Sequence, residues 1–360
     1  MSKQTFRIAV IPGDGIGKEV VPVGLQMLEA LQESSDGDLA FEFDWFPWGC
    51  EYYLEHGAMM AADGLDRLQG FDAIYFGAVG WPEVPDHIAL WGLRLAICQG
   101  FDQYACVRPG VLLPGIESPL RNGTPETIDF VVVRENSEGE YAGLGGRNLG
   151  SRGVDKEVAI QSALFTSLGC ERIIRYAFEL AGTRSKKKVT SVTKSNAQQY
   201  AMTLWDETFV RVALDYPAIE TESVLVDAMA AKLVLRPEAF DVIVGSNLFG
   251  DILSDLGGAI AGSLGIAASA NIDPERRYPS MFEPVHGSAP DIAGLGIANP
   301  IAAVWSAAMM LEHLGLRAEA ARVMRAIEWT TRNGPRTPDL GGVATTKAVG
   351  EAMVEALLRE

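Results

Sequence analysis

The chain has 360 residues, of which 48% are hydrophobic, and its formal net charge is −17. This length can bury a full hydrophobic core and suggests two lobes. The negative charge argues against nucleic acid or an anionic membrane as a partner, because both would be repelled at long range. We expect a globular protein that binds small molecules, with basic groups confined to local pockets.

The cysteines and the N-terminal segment indicate a cytoplasmic protein. The first apolar run, Ile8 to Ile11, stops at Pro12, so no secretion signal is predicted. No uninterrupted apolar stretch approaches the roughly 20 residues of a membrane span. The cysteines form no C-x-x-C pair, which disfavours a zinc site or a disulfide framework. We expect four reduced, mostly buried thiols, at Cys50, Cys98, Cys106 and Cys170.

The order of predicted elements indicates an α/β fold, a sheet flanked by helices. The chain opens with a buried strand over Phe6–Ile11, a glycine-rich turn and an amphipathic helix over Lys18–Leu31. Helical periodicity separates most of the later strands. These strands are predicted at Ala40–Phe46, Ala73–Phe76, Phe130–Arg134, Lys188–Val192 and Val242–Val244, and two long helices at Ala302–Leu314 and Ala318–Thr330.

Three glycine-rich segments are interpreted as turns or loops. Pro109–Asp129 and Gly139–Gly153 lack periodicity, and we interpret both as loops that connect lobes or form an interface. The turn G-D-G-I-G, which ends at Gly17, follows a strand and opens a helix. It lacks the G-x-G-x-x-G spacing of a dinucleotide-binding fingerprint, so we interpret it as a plain strand-to-helix turn.

The segment from Ser246 to Asp255 offers the clearest chemistry. Asp251 and Asp255 stand four residues apart at a predicted strand-to-helix junction, so they can share one face of the helix. Two carboxylates held in this way are suitable oxygen ligands for Mg²⁺ or Mn²⁺ and leave coordination positions open. The alternative is a solvated first turn, where negative charge complements the helix N-terminus.

Other candidates are weaker when each is taken alone. Arg108 and Arg134 each end an apolar segment, where guanidinium groups suit carboxylate binding, although single arginines are more often in surface ion pairs. Tyr141, Lys194 and Asp227 stand beside apolar or small residues, where their pKa values can be shifted. A glycine-rich loop from Glu283 to Gly294, followed by A-N-P, could hold a nucleotide through backbone amides.

Six motifs in this order resemble the β-decarboxylating dehydrogenases, the family of isopropylmalate, isocitrate, homoisocitrate, D-malate and tartrate dehydrogenases. They are P-G-D-G-I-G, V-R-E-N-S-E-G-E-Y, S-V-T-K-S-N, V-D-A-M, S-N-L-F-G-D-I-L-S-D and E-P-V-H-G-S-A-P-D-I-A-G. The segments F-D-A-I-Y-F-G-A-V-G-W-P, V-P-D-H-I-A-L-W-G and G-F-D-Q-Y look most like the tartrate and D-malate branch, whereas V-D-A-M looks more like isopropylmalate dehydrogenase.

The resemblance implies a two-domain fold of the isopropylmalate dehydrogenase type, which is not a standard Rossmann fold. Residues 1–101 and 258–360 would form a discontinuous cofactor-binding domain, and residues 102–257 a substrate and dimerisation domain. The implied enzyme is a homodimer that oxidises and decarboxylates a small 2-hydroxy acid, with active sites shared across the interface.

The resemblance also assigns roles to the candidates. Asp251 and Asp255 of one subunit, with Asp227 of the partner subunit, would hold Mn²⁺ or Mg²⁺. Arg108 and Arg134 would bind substrate carboxylates, Lys194 would help to take the hydroxyl proton across the dimer, and Tyr141 would protonate the enol. The NAD⁺ contacts would be Glu283, His286, Gly287, Ser288, Ala289, Asp291 and Asn299. A carboxylate at Asp291 accepts hydrogen bonds from ribose hydroxyls and repels a 2′-phosphate, which favours NAD⁺ over NADP⁺.

One position departs from the family pattern. An ungapped alignment with the tartrate and D-malate branch puts Cys98 where the family has its first substrate-binding arginine, and a neutral thiol cannot replace a guanidinium. Arg94 precedes it by one helical turn on the same face. Arg94 either replaces the missing charge or contacts a substituent on a longer substrate; a gapped alignment would place it on the family arginine itself, and the remaining alternative is a surface residue.

Two further alternatives stay open. The missing arginine would also fit a non-catalytic regulatory subunit, although Asp227, Asp251, Asp255, Tyr141 and Lys194 are all present. Tartrate-type relatives can respond to K⁺, but no residue in this sequence establishes a site for it. The leading substrates are tartrate and D-malate, and the alternative substrates are isopropylmalate-, dimethylmalate- or homoisocitrate-like acids.

Overall fold

The described chain forms strands, α-helices and short 3₁₀ turns that alternate along the sequence. The structure is a computed structural model and describes residues 4–148, 153 and 156–359. The strands are β1 Gln4–Gly13, β2 Leu39–Trp45, β3 Ala73–Ala78, β4 Ala105–Val111, β5 Asp129–Glu135, β6 Gly139–Asn148, β7 Val158–Leu164, β8 Lys188–Thr193, β9 Glu220–Leu225, β10 Val242–Gly245, β11 Ala268–Ile272 and β12 Ser280–Pro284. The helices are α1 Gly17–Glu33, α2 Cys50–His56, α3 Gly64–Leu68, α4 Asp86–Ala89, α5 Leu95–Gly100, α6 Ser167–Thr183, α7 Ala201–Ala213, α8 Val226–Leu235, α9 Asn247–Ile260, α10 Ile301–His313, α11 Arg317–Asn333 and α12 Thr346–Leu358.

Ten of these strands form one sheet in the order β2-β1-β3-β12-β11-β4-β5-β10-β8-β9. The pairs are parallel except where β11 meets β12 and β4 and where β4 meets β5. The short apolar runs predicted as strands are β1, β2, β3, β5, β8 and β10, and β3 and β10 are buried along their whole length, as expected when both faces of a strand are covered. The predicted α/β fold is therefore confirmed.

The two halves of the sheet come from different parts of the chain. β1, β2, β3, β11 and β12 lie before residue 101 or after residue 258, and β4, β5, β8, β9 and β10 lie between them. The division into a discontinuous and a central domain stays a prediction. The proposed boundary at 257/258 falls inside α9, so the connection there runs through the last turn of a helix.

The segment Gly139–Gly153 was expected to be irregular, but much of it is a strand. β6 pairs with β7 in an antiparallel two-stranded arm, with Gly145 opposite Gln161. Every residue of β7 is exposed, including Ile160 at 63%. An arm that buries neither face within its own chain has no period-2 apolar pattern, which is why the sequence did not reveal it. Residues 149–152 lie outside the described residues. The other segment predicted as a loop, Pro109–Asp129, begins inside a strand, because β4 extends to Val111.

The cysteine prediction is confirmed, since all four thiols are free and buried. Within the described ranges, no helix combines the length and the hydropathy that crossing a membrane requires.

Candidate active site

The two carboxylates of α9 face a cavity. β10 ends at Gly245 and α9 begins at Asn247, which confirms the strand-to-helix junction predicted here. Asp251 and Asp255 lie one turn apart and line a cavity of about 250 Å³. The side chains are 32% and 56% exposed, respectively. Both carboxylates therefore belong to a concave site that other charged groups also line, and not to an isolated solvated turn.

Two buried arginines form the neighbouring wall of this cavity. Arg108 on β4 donates through Nη1 to Asp251 Oδ1 at 3.1 Å and to Ser254 Oγ at 2.8 Å. Arg134 on β5 also pairs with Asp251 Oδ1, and its Nε and Nη2 donate to Asn247 Oδ1 at 3.0 and 2.7 Å. The two arginine side chains are only 8% and 2% exposed. Two guanidinium groups thus converge on one carboxylate, in a geometry that suits a second anion.

Burial and charge shift the pKa values of the two aspartates in opposite directions. Burial raises the pKa of Asp251, but the charges of Arg134 and Arg108 outweigh burial and bring it below its ordinary value. Burial is the largest influence on Asp255 too, and there it raises the pKa. Asp251 is consequently a firmly ionised carboxylate, as a metal ligand must be.

Tyr141 on β6 stands at the edge of the same cavity. Its hydroxyl donates to Asp251 Oδ2 at 3.3 Å, and the guanidinium of Arg134 lies 5.2 Å from its ring centroid. Burial and the charge of Asp251 raise the pKa of Tyr141, so the phenol is protonated at neutral pH. Gln99 on α5 donates to the backbone carbonyl of Tyr141 at 3.1 Å. Tyr141 is therefore a protonated phenol that donates a hydrogen bond beside the carboxylates.

Arg94 also lines the cavity, so the interpretation of Arg94 as a surface residue is wrong. It is 8% exposed and ends a single π-helical turn, Leu90–Arg94, between α4 and α5. Such turns are frequent at functional sites, and no sequence pattern predicted this one. Cys98 follows in α5, where it is fully buried in an apolar cluster. Burial raises the pKa of Cys98 to about 12, so the thiol is neutral and only Arg94 brings positive charge from this helix.

Lys194 and Asp227 lie apart from the cavity. Lys194 Nζ pairs with Asp227 Oδ1, and the two side chains are 27% and 65% exposed. The hydrogen bond from Lys194 lowers the pKa of Asp227. In the part of the chain that the structure describes, no group of three or more histidines, cysteines or carboxylates is arranged to hold a metal ion. A single chain thus brings together only two of the three predicted ligands.

The donor chemistry of the cavity nevertheless fits a divalent cation. Asp251 and Asp255 supply only oxygen donors, which Mg²⁺ and Mn²⁺ prefer. Arg108 Nη1 is 3.8 Å from Asp255 Oδ1, so the pair of carboxylates already faces positive charge. Two ligands from one helix leave positions for a third protein carboxylate and for a substrate.

The loop between β12 and α10, predicted to hold the nucleotide, is braced by the first turn of the chain. The backbone amide of Ile16 donates to Ser288 O at 2.9 Å. A Cβ on Gly15 would lie 2.0 Å from that oxygen, and the φ of Gly15 is +52°, so glycine is required there. Glu19 in α1 accepts a hydrogen bond from Gly294 N at 2.6 Å. The G-D-G-I-G turn therefore supports the loop, consistent with a plain turn.

The predicted nucleotide contacts lie on this loop and at the end of β12. They are Glu283, His286, Gly287, Ser288, Ala289, Asp291 and Asn299. Burial lowers the pKa of His286, so its imidazole is neutral at pH 7. Asn299 Nδ2 donates to Asp339 Oδ2 at 3.0 Å, which fixes the far end of the loop. Asp291 is exposed. Their contacts with a nucleotide stay predictions.

Several polar residues that support the site were not singled out from the sequence. Asn247 anchors Arg134, and Glu140 accepts hydrogen bonds from Ser246 Oγ and Leu248 N at 3.1 Å each, at the start of α9. Both residues lie inside the motifs quoted above. Their place in a motif together with a site arginine or aspartate was the sequence signal that could have identified them. Asn271, which contacts Arg94, stands in no motif.

The fold and this cavity agree with the family to which the chain belongs. Residues 7–356 match the model of the isocitrate/isopropylmalate dehydrogenase family, and the chain is a member of that family. Family membership confirms the resemblance seen in the motifs and the prediction that the chain is an enzyme, a dehydrogenase.

Three similar proteins narrow the comparison. The probable tartrate dehydrogenase/decarboxylase TtuC of Agrobacterium vitis is 59% identical over 98% of this chain and 96% of its own length. The D-malate dehydrogenase (decarboxylating) of Escherichia coli K12 is 53% identical, with 99% of each chain covered. Among solved structures, isocitrate dehydrogenase from Methylococcus capsulatus superposes with a TM-score of 0.87 at 35% identity, covering 98% of this chain and 99% of the other. The chain is therefore similar to tartrate and D-malate enzymes over almost its full length.

Proposed function

We propose that the chain catalyses the NAD⁺-dependent oxidation and β-decarboxylation of a D-malate-type 2-hydroxy acid, with a divalent metal as cofactor. Tartrate and D-malate are the leading substrates. The observation that carries this proposal is the cavity in which arginines converge on the aspartate pair of α9. Similarity to proteins named for tartrate and D-malate supports the choice of substrate.

The charges that line the cavity favour a dicarboxylate. Three arginines, Arg94, Arg108 and Arg134, face three carboxylates, Asp251, Asp255 and Glu283, so the lining carries no net charge. Counted over the groups of one chain, a divalent cation and a dianionic substrate keep the cavity neutral, whereas a tricarboxylate leaves one unbalanced negative charge in a partly buried site.

The alternatives set out from the sequence are testable in the same terms. A 3-substituted malate, such as an isopropylmalate-, dimethylmalate- or homoisocitrate-like acid, would need Arg94 to reach the added group. A non-catalytic regulatory subunit would need no turnover by the chain alone. The presence of the aspartate pair, the converging arginines and the tyrosine within one cavity argues against the regulatory subunit.

The residues of the chain divide the reaction between them. Arg108 and Arg134 bind the substrate carboxylates and orient the 2-hydroxyl group. Lys194 of the partner subunit takes the hydroxyl proton while the C2–H bond breaks. The bound cofactors supply hydride acceptance by NAD⁺ and polarisation of the new carbonyl by the metal. After the C3–CO₂ bond breaks, Tyr141 delivers a proton to C3 of the enol; its raised pKa keeps the phenol protonated until that step.

A homodimer would complete the site. The Lys194–Asp227 pair lies outside the cavity of its own chain, and the arm presents apolar side chains to the outside, with Leu144 47% and Ile160 63% exposed. A second copy that covers these groups would bring Asp227 of the partner subunit to Asp251 and Asp255 as the third metal ligand. Reduced buried cysteines support the cytoplasmic location proposed from the sequence.

The first experiment is a substrate panel. NADH formation by the purified chain with Mn²⁺ and K⁺ is measured with D-malate, the tartrate stereoisomers, 3-isopropylmalate, 3,3-dimethylmalate, isocitrate and homoisocitrate. Fast turnover of D-malate or a tartrate is expected. Preference for a bulkier or tricarboxylic acid would reject the substrate assignment, and no turnover of any acid would favour the regulatory subunit.

The cofactor assignment has its own test in Asp291→Lys. Loss of the carboxylate removes a hydrogen-bond acceptor for the ribose hydroxyls, so we expect kcat/KM for NAD⁺ to fall by about tenfold. The KM for the hydroxy acid should stay within twofold, as estimated for a residue on the exposed loop. Unchanged NAD⁺ kinetics would remove Asp291 from the cofactor site.

A further inference from the structure

The guanidinium group of Arg94 is held by a buried carboxylate. Its Nε donates to both oxygens of Glu283, at 2.8 Å to Oε1 and 3.1 Å to Oε2, and its Nη2 lies 2.7 Å from Oε1. The two side chains are 9% and 5% exposed. Glu283 stands at the end of β12, far from Arg94 in the sequence. Charge-assisted contacts of this kind fix both the position and the plane of a guanidinium.

Asn271 on β11 joins this pair to the centre of the sheet. Its Oδ1 accepts from Arg94 Nη2 at 3.2 Å and from Asn136 Nδ2 at 3.0 Å, while its Nδ2 donates to Glu283 Oε1 at 2.7 Å. Asn271 and Asn136 are fully buried. Arg94 therefore meets an acceptor on each of two neighbouring strands and has little freedom to swing out of the cavity.

The orientation leaves one nitrogen of Arg94 for a ligand. The contacts with Glu283 and Asn271 use Nε and Nη2, and Arg94 still lines the cavity together with Arg108 and Arg134. Glu283 also neutralises most of the charge of Arg94, so the guanidinium can be buried without a substrate present. Arg94, which extends from the π-helical turn, is thus fixed in the cavity and supplies a positive charge that the neutral Cys98 lacks.

We propose that Glu283 and Asn271 are positioning residues, which hold Arg94 so that its Nη1 binds the hydroxy-acid substrate. This inference rests on the proposed function and assigns Glu283 to the substrate side of the cavity, whereas the family resemblance assigned it to the nucleotide. It also decides between the two hypotheses for Arg94, replacement of the missing charge and contact with a longer substrate. A guanidinium anchored inside the cavity binds a compact dicarboxylate and does not reach outward to a longer substrate.

The test separates the KM of the acid from the KM of NAD⁺. Glu283→Gln keeps the size and one oxygen acceptor but loses the charge, and we expect the KM for the acid to rise about tenfold while kcat and the KM for NAD⁺ change less than about twofold. Arg94→Leu should raise the same KM by about 100-fold. Asn271→Ala should give an intermediate increase, and the melting temperature of each variant reports folding.

The double variant decides between positioning and an independent role. If Glu283 acts through Arg94, adding Glu283→Gln to Arg94→Leu raises the KM for the acid no further. Arg94→Lys, which keeps the charge but lacks the planar fork, should restore only part of the affinity. A rise in the KM for NAD⁺ in Glu283→Gln, or additive effects in the double variant, would overturn the proposal.

The same variants also distinguish this proposal from the proposed function. If the wild-type chain oxidised none of the acids, the proposed function would fail, and thermal stabilisation by D-malate with Mn²⁺ would replace turnover as the readout. Stabilisation of the wild type that is reduced in both Arg94→Leu and Glu283→Gln would support positioning. Stabilisation that both variants retain, or an absence of stabilisation in the wild type, would reject it.

Discussion

The cavity wall and the Lys194–Asp227 edge place charged groups in opposite environments. In the wall, Arg108, Arg134 and Asp251 are largely buried and joined to one another within one chain. At the edge, Lys194 and Asp227 contact each other, and Asp227 is mostly exposed. The charged groups of the wall all line the cavity of their own chain. Lys194 and Asp227 do not line that cavity. The difference is what the proposed homodimer predicts, in which the wall of one subunit would meet the edge of its partner.

The largest expected effect comes from breaking each part and then mixing the products. Asp251→Asn removes a proposed metal ligand, and Lys194→Met removes the proposed base, so each variant alone should lose at least about 1000-fold in kcat. Co-expressed, differently tagged subunits should regain about a quarter of wild-type activity, because half of the dimers are mixed and each of these has one intact site. The measurement is the activity of the isolated mixed dimer, which has one intact site of two and should therefore show about half of wild-type activity.

The mixing experiment has a clear contrary outcome. If Lys194 acted within its own chain, every site in the mixed dimer would lack either Lys194 or Asp251, and activity would stay at the level of the single variants. Mixed dimers of Asp251→Asn with Asp255→Asn are the matched control, since both residues lie on α9 and cannot complement each other.

A smaller effect is expected from the arm. Ile160→Asp puts a charge on an apolar side chain that is 63% exposed. If a second copy covers it, the dimer should dissociate about 100-fold more readily, as measured by sedimentation at several protein concentrations, and activity should fall with dilution. Val343→Asp, at a position 97% exposed and distant in sequence from the arm, should leave the oligomer unchanged. Equal behaviour of the two variants would contradict a role for the arm.

The stability of the two regions should also differ. Arg134→Met leaves Asn247 Oδ1 without its buried donor and Asp251 with Arg108 alone, so we expect a loss of about 3 kcal/mol in the free energy of unfolding. Lys194→Met removes an exposed contact and should not shift the urea midpoint measurably. Urea unfolding of both variants in the absence of metal checks this. A larger loss from Lys194→Met would show that the edge is structurally tied to its own chain.

The smallest expected effect is a loss of stability in acid that comes from His313, a residue outside both the cavity wall and the Lys194–Asp227 edge. Burial is the main cause that lowers the pKa of His313 on α10 from 6.5 to about 4. The pKa of His313 is lower in the folded than in the unfolded chain. Its contribution to the free energy of unfolding is therefore fully present above pH 6.5 and is lost as the pH falls towards 4. Between pH 7 and 4.5, His313→Gln should lose about 2 kcal/mol less than the wild type in urea unfolding. Equal losses would reject this source of acid sensitivity.

The sequence predicted the strands that have uninterrupted apolar runs. It missed β4, β11 and β12, which are largely buried in the middle of the sheet, as well as the exposed β9 and the arm. Apolar runs such as Val242–Val244 became central strands because burial on both faces demands uninterrupted hydrophobic residues. β9, with the sequence Glu220–Leu225, lies at the edge of the sheet and is largely polar, so nothing in its pattern indicated a strand. The arm was missed for a related reason, since its exposed residues form no regular apolar face within the described chain.

Within the site, residues with a local sequence signal were predicted and long-range contacts were not. Asp251 and Asp255 were recognised because four-residue spacing on one helix is a local signal. The contact of Arg94 with Glu283 joins residues 189 positions apart, and no local pattern encodes it. The π-helical turn that ends at Arg94 was equally invisible, because one extra residue in a turn leaves composition and polarity unchanged.

The bond from Ile16 N to Ser288 O has a mechanical consequence. It fastens the loop proposed for the nucleotide to the start of α1, and Glu19 adds a second attachment at Gly294. The loop is thereby a rigid extension of the first helix and not an independent lid. A movement of this loop would therefore have to carry the start of α1 with it.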